Sequence, residues 1–91
     1  MDTYTKLVNL IIEEQEAIIG PIAFEQAQKV EGIEVVDHNN IKIVGNAKDV
    51  LTKLVNQYAK LFGRASIEVC KEAVRELSPQ PTLDQLPEIL R

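Results

Sequence analysis

The first segment of the chain, Thr3–Ile19, repeats apolar residues at steps of three and four positions. This spacing places them on one stripe of a helix. The stripe consists of Tyr4, Leu7, Val8, Ile11, Ile12, Ile18 and Ile19. Gly20-Pro21 interrupts the pattern, because proline cannot donate a backbone hydrogen bond and disfavours helical angles in the residue before it. We therefore predict that one helix ends here and that a shorter helix follows over residues 22–30.

Two short runs rich in β-branched residues, 33–36 and 41–44, predict a β-hairpin. The residues between them are Asp37-His38-Asn39-Asn40, and asparagine tolerates the left-handed angles of tight turns. Loops of two, three or four residues all fit, so the pairing register stays open. A two-stranded hairpin is only marginally stable in water. It must therefore pack on the helices, or extend its sheet with another copy or a partner strand.

A third helical pattern covers residues 47–77, with Asn46 as a good N-cap. Up to Phe62 its apolar residues form one stripe, and beyond Gly63 they spread over most sides. The segment is either one long helix with different neighbours along its length or a helix that bends at Gly63. Its apolar second half is expected to be covered, either by association or by the C-terminal tail.

Ser78-Pro79-Gln80-Pro81 has the composition of a linker. Residues 82–85 then fit a capping box, in which Gln85 reaches back to Thr82. The tail either folds back on the core or docks as an amphipathic peptide in a groove of another protein. We predict a helix-dominated α+β fold with the order α-α-β-β-α(long)-short α. Residues 1–77 form one globular domain, and residues 78–91 form the linker and a short amphipathic segment. No internal repeat is evident.

Composition narrows the possible functions. The chain has 91 residues, a net charge of −4 and 4% aromatic residues, without tryptophan. An acidic chain argues against nucleic-acid binding, whose phosphate contacts need clustered lysine and arginine. No apolar run approaches the roughly 18 residues of a membrane span, and the N-terminus does not resemble a signal peptide. We therefore expect a cytoplasmic protein that binds neither nucleic acid nor membrane.

Residues suited to catalysis are scarce. Cys70 is the only cysteine and lies on the apolar side of a helix, where cysteine usually acts as a small hydrophobe. His38 is the only histidine and falls in the predicted turn, too isolated for a metal site. The glutamates of segment 13–16 are expected to form a solvated helix face, and no second acidic cluster is expected to meet them. We predict no catalytic residue, no metal site, no cofactor and no enzymatic activity.

The most unusual feature of the long helix is its set of basic residues. On a continuous helix they would share one narrow sector of the surface. The set consists of Lys53, Lys60, Arg64, Lys71 and Arg75. One interpretation is a docking site for an acidic partner or a phosphate-bearing molecule, and the other is an ordinary solvated face. A third is that the acidic segment 13–16 of one copy faces the basic stripe of another.

These observations favour a non-enzymatic interaction or oligomerisation module with a regulatory role. It would act as a homodimer or dock on a larger protein, and the hairpin is expected to provide the dimer sheet or the surface that faces the partner. The alternative is a small-molecule sensor with an aliphatic pocket between the long helix and the hairpin. Tyr58, Arg64 and Ser66 are the candidate polar contacts of that pocket.

Overall fold

The structure, a computed structural model, describes residues 2–37 and 40–91. Within these ranges, four α-helices and one antiparallel hairpin follow each other in the predicted order. The helices are α1 (Thr3–Ile19), α2 (Ile22–Gln28), α3 (Ala47–Phe62) and α4 (Arg64–Glu76), and the strands are β1 (Ile33–Asp37) and β2 (Asn40–Ile43). Two 3₁₀ turns, Leu83–Gln85 and Glu88–Leu90, lie near the end of the chain. The helix-dominated α+β fold is confirmed.

Side-chain caps begin both long helices. The carboxylate of Asp2 accepts a hydrogen bond from the N–H of Thr5 at 2.8 Å, and this bond lowers the pKa of Asp2. Asn46 caps α3 in the same way, because its Oδ1 accepts from the N–H of Asp49 at 3.1 Å. The predicted N-cap is therefore confirmed. α2 ends at Gln28, two residues earlier than predicted. The N–H groups of Lys29 and Val30 donate to carbonyls three residues back, so the chain leaves α2 through a 3₁₀-type turn.

Gly63 separates α3 from α4. Its φ of 82° and ψ of −171° lie in a region that is essentially reserved for glycine. The long segment therefore consists of two helices that pack against each other, and the alternative of one continuous helix is wrong. The proposed basic stripe depended on a continuous helix. The break instead divides the five residues, with Lys53 and Lys60 on α3 and the other three on α4.

The two halves of the domain repeat each other with a spacing of 43 residues. Gly20, with φ 76° and ψ −159°, ends α1 as Gly63 ends α3. The buried residues of α1 are Leu7, Val8, Ile11, Ile12 and Gln15, and those of α3 are Val50, Leu51, Leu54, Val55 and Tyr58. Each residue of the second set follows its counterpart by the same spacing. This repeat lies in the burial pattern and the glycine joints, whereas the residue types themselves do not repeat. We call residues 3–30 the first unit and residues 46–73 the second.

Two buried hydrogen bonds connect the units reciprocally. Gln15 Nε2 donates to the carbonyl of Ser66 at 3.0 Å, and Tyr58 Oη donates to the carbonyl of Ala23 at 2.7 Å. Each donor lies five residues before its own glycine, and each acceptor lies three residues after the other glycine. α1 and α3 each pack against both α2 and α4. The two units are therefore related by an approximate two-fold exchange of α1 with α3 and of α2 with α4.

The hairpin follows the first unit and packs on its helices. Ile33 pairs with Ile43 and Val35 with Ile41, and Val36 lies at a bulge. β2 packs on α1 and β1 on α2, while Asn9 Nδ2 donates to the carbonyl of Ile41 at 3.1 Å. The helices thus cover the hairpin, which is the first of the two predicted alternatives. The predicted turn residues His38 and Asn39 lie outside the described residues.

The C-terminal tail folds back on the core. Leu86 and Leu90 are buried in the same apolar cluster as the helices, and the second 3₁₀ turn packs on α3 and α4. The predicted contact of the capping box is present, because Gln85 Oε1 accepts from the N–H of Thr82 at 2.9 Å. The tail thus covers part of the apolar surface of α4. The boundary between residues 1–77 and 78–91 stays a prediction.

Candidate functional site

Exposed apolar side chains gather around the two glycine joints. The hydrogen bonds from Gln15 to Ser66 and from Tyr58 to Ala23 hold both joints at the same end of the molecule. The exposed side chains there are Ile18 (63% exposed), Ile22 (38%), Leu61 (47%) and Phe62 (36%). Ile18 and Leu61 are equivalent positions of the repeat. We call this surface the joint end.

The two sides of the joint end carry opposite charge. Residues 7–28, which include the α1–α2 joint, contain four glutamates and no lysine or arginine. Residues 50–67, which include the α3–α4 joint, contain three basic residues and no aspartate or glutamate. Glu16 and Glu25 lie near the first joint, and Lys60 and Arg64 flank the second. The apolar surface therefore lies between an acidic side and a basic side.

A cleft of about 290 Å³ opens between the end of α2 and the side of α3. We call it the lysine cleft. Its lining residues are Lys29, Val30, Glu31, Lys53, Asn56, Gln57 and Lys60. Lys53 and Lys60 belong to the basic set predicted from the sequence, and the structure places them together here. Sequence reasoning missed Lys29, because it follows α2 and reaches the cleft only through the packing of α2 on α3.

The polar groups of the lysine cleft are only partly paired. Lys53 Nζ lies 3.9 Å from Glu31 Oε2, and the Glu31 side chain is 91% exposed. An ion pair this long and this exposed contributes little to the stability of the fold. Gln57 Nε2 donates to Gln26 Oε1 at 2.7 Å, which fixes the Gln57 amide. Among residues 2–37 and 40–91, neither Lys29 nor Lys60 has an acidic side chain within ion-pair distance.

The other three basic residues of the predicted set lie on α4 and outside the cleft. Lys71 Nζ lies 3.7 Å from Glu68 Oε2, and Arg75 forms an ion pair with Glu72. Both are surface pairs within one helix, as on an ordinary solvated face. Arg64 begins α4 at the joint end. The structure does not bring the five residues into one site, and their role as an interaction surface stays a prediction.

Four glutamates lie on the surface where α1 packs on α4. A hydrogen bond with Glu76 raises the pKa of Glu14, and desolvation and the charges of Glu76, Glu13 and Glu72 raise it further. The expectation that no second acidic cluster meets the segment 13–16 was therefore wrong. The reason is the packing of α1 on α4, a contact between distant parts of the chain. We call Glu13, Glu14, Glu72 and Glu76 the acidic groove.

The acidic groove and the lysine cleft occupy equivalent places in the repeat. Glu72 in the second unit corresponds to Lys29 in the first. Glu13 and Glu14 on α1 correspond to Asn56 and Gln57 on α3. The same backbone framework thus carries charge of opposite sign at equivalent places, negative where α4 meets α1 and positive where α2 meets α3.

Cys70 is fully buried, and burial raises the pKa of its thiol to about 11, although a hydrogen bond from Gln15 acts in the opposite direction. A thiol with so high a pKa is scarcely ionised near neutral pH, so it is poorly suited to nucleophilic attack. Burial likewise raises the pKa of Tyr58. Over the described ranges, no group of three or more histidine, cysteine, aspartate or glutamate side chains is placed to hold a metal ion. His38 lies outside those ranges.

The aliphatic pocket expected between the long helix and the hairpin is not among three well-formed clefts in the described part of the chain. One lies between α3 and the C-terminal tail, one is the lysine cleft, and one lies between the start of α1 and β2. None of these three is lined by Tyr58, Arg64 or Ser66. Tyr58 and Ser66 instead take part in the buried hydrogen bonds between the units.

Comparison of the chain with protein-family models, curated proteins and solved structures gave no match. Of the helices in the described part of the chain, none is long and apolar enough to cross a membrane.

Proposed function

We propose that this protein is a non-enzymatic oligomerisation module with a regulatory role, and that it forms a homodimer through the joint end. The observation that carries the proposal is the cluster of exposed apolar side chains at one end of the molecule, between sides of opposite charge. Clustered apolar side chains of this kind, rimmed by polar residues, are typical of protein interfaces.

Charge favours a second copy as the partner. In a dimer whose two-fold axis runs between the acidic and the basic side, the same surface of both copies meets, and each side of one copy faces the opposite side of its partner. The acidic α1–α2 joint of one copy would then face the basic α3–α4 joint of its partner, and the reverse would hold at the other edge. A partner whose surface carries charge of a single sign would complement only one side of the joint end.

The size of the patch sets the expected affinity. An interface of standard size buries roughly 800 Å² on each partner, and four partly exposed side chains supply only part of this area. The charged sides must therefore contribute, so we expect a dimer of micromolar affinity that weakens as salt is added.

Other surfaces of the molecule support this choice. The hairpin packs on α1 and α2, and the tail covers part of α4, which lessens the need for cover from another protein at either place. In the described part of the chain, the other large apolar side chains that are exposed, Val36, Val44 and Leu83, lie apart from the two joints along the chain. The buried Cys70 thiol supports a function without catalysis. The cytoplasmic location stays a prediction from the sequence.

The test is sedimentation velocity over a range of protein concentrations. The unaltered chain should shift from monomer to dimer, and the double variant Ile18→Asp/Leu61→Asp should remain monomeric, because each charge would be buried in the interface. Leu83→Asp is the matched control, since Leu83 is 67% exposed but lies in the tail. An unaltered chain that stays monomeric at several hundred micromolar would overturn the proposal, as would a control that dissociates the dimer equally well.

A further inference from the structure

The lysine cleft has the composition of a site for a small anion. Its three ammonium groups come from two elements, and the side-chain amide of Asn56 adds a further donor. We propose that this cleft binds the phosphate group of a small molecule, with Lys29, Lys53 and Lys60 as the charged contacts. The inference does not depend on dimer formation.

The internal repeat shows that packing does not require lysine at these places. Lys29 corresponds to Glu72, Lys60 to Ala17 and Lys53 to Leu10 in the other unit. The same framework thus accepts acidic, small or apolar side chains at the equivalent positions. A structural requirement of the fold therefore does not explain why three lysines line one groove.

The lysines of the cleft also differ from the cations on α4. Lys71 and Arg75 have carboxylate partners on their own helix, whereas Lys29 and Lys60 have none among the described residues. Like charges gathered without counterions repel each other, and a bound anion would remove this repulsion. Glu31 reduces the positive charge, but it is highly exposed and only at the limit of ion-pair distance from Lys53.

The size and lining of the cleft narrow the ligand class. Three lysines and one glutamate leave a formal charge that matches a phosphate dianion, the main form of a phosphate monoester near neutral pH. Lysine binds phosphate as a point charge. The lining residues include no aromatic ring on which a base could stack, and the cleft is at the small end of ligand sites. Recognition is thus expected to rest on the phosphate group.

Most of the cleft is separate from the joint end. Lys53 lies ten residues before Gly63, about 15 Å along the helix. Lys29 follows the last turn of α2, away from the α1–α2 joint. Lys29 and Lys53 are therefore suitable for testing the anion site without altering the proposed dimer interface, whereas Lys60 flanks both surfaces.

The experiment is a titration of the ¹⁵N-labelled full chain with sodium phosphate, followed by amide chemical shifts. A parallel titration with sodium chloride at matched ionic strength measures the effect of salt alone. We expect saturable shifts in the lysine cleft with phosphate only, and none in the acidic groove, which serves as an internal reference. Lys53→Ala and Lys29→Ala should each weaken binding about fivefold to tenfold, and the matched control Lys71→Ala should leave it unchanged.

A second measurement distinguishes the sources of the phosphate group. Vesicles of phosphatidylcholine, with and without phosphatidic acid, are sedimented with the protein. Binding that needs phosphatidic acid and is lost in Lys53→Ala would identify a lipid headgroup, and phosphate binding without vesicle binding would identify a soluble compound. Equal shifts with phosphate and chloride would overturn the proposal, as would equal losses in the Lys53→Ala and Lys71→Ala variants.

Discussion

The lysine cleft and the acidic groove occupy equivalent positions of the two units and carry opposite charge. In the first unit, Lys29 follows α2 beside the amide-bearing face of α3, and in the second, Glu72 lies beside the glutamates of α1. The buried positions of α1 and α3, by contrast, correspond one for one. Packing thus requires only that certain positions be buried, while the equivalent surfaces are free to differ in charge.

The buried hydrogen bonds between the units show the same division. Gln15 and Tyr58 occupy equivalent positions and bond to equivalent carbonyls, although one is an amide and the other a phenol. What the repeat keeps is a buried donor at this position, which reaches a helical carbonyl of the other unit and so ties the two units together.

The first prediction concerns this pair of donors. Gln15→Met and Tyr58→Phe keep most of the side-chain volume but remove the donor, so the hydrogen bond between the units is lost while each carbonyl keeps its bond within its own helix. Each variant should lower the free energy of unfolding by about 0.5–1.5 kcal/mol. Urea denaturation followed by circular dichroism measures the loss. Gln28→Met repeats the chemical change at an exposed position of α2 and should cost little. If the two variants lost clearly different amounts of unfolding free energy, the two donors would not be equivalent.

An effect of similar size is expected at the two glycine joints. An added Cβ would meet no atom within 4 Å at Gly20 or at Gly63, so only backbone strain opposes alanine there. At these positive φ angles the strain costs about 1–2 kcal/mol. Gly20→Ala and Gly63→Ala should therefore lose similar stability in thermal or urea unfolding. A loss at one joint only would contradict the equivalence of the two joints.

These comparisons also explain what the sequence could and could not predict. α1 was predicted with its observed bounds, because a regular apolar stripe and Gly20-Pro21 leave little choice. The sequence does not decide whether Gly63 interrupts the helix, since a glycine inside a helix costs only about 1 kcal/mol and no proline follows it. Whether Gly63 bends or ends the helix depends on how α4 packs back on α3.

The repeat and the grooves depend on contacts between distant parts of the chain. Only Gly20/Gly63 and Glu25/Glu68 are identical pairs between the two units, so residue identity does not reveal the repeat. Its signal is the recurrence of burial, which becomes plain only when the structure separates buried from exposed apolar residues. The grooves need the same information, because Lys29 meets α3, and Glu76 meets Glu14, only after the helices have packed.

The smallest expected effect concerns the acidic groove. The pKa of Glu14 is raised above its ordinary value of 4.5 in the folded protein, so the folded state loses stability as the pH rises through that raised pKa. Glu76→Gln removes the main cause and should raise the melting temperature at pH 7 by about 1–3 °C. Below pH 4.5 the gain should disappear, since Glu14, whose pKa is raised, is then protonated and carries no charge for Glu76 to repel. Glu88→Gln, at an exposed position of the tail, is the control, and a gain that persists at acid pH would contradict this account.

The central claim is that the opposite charges on the two sides of the joint end pair two copies of the chain. Two charge-reversed proteins test it in one sedimentation velocity experiment. The first is Glu16→Lys/Glu25→Lys, which makes both sides basic, and the second is Lys60→Glu/Arg64→Glu, which makes both sides acidic. We predict that each protein alone is monomeric, because like charges would meet, and that an equimolar mixture sediments as a dimer. A mixture that sediments as monomer, like its separate components, would contradict the account.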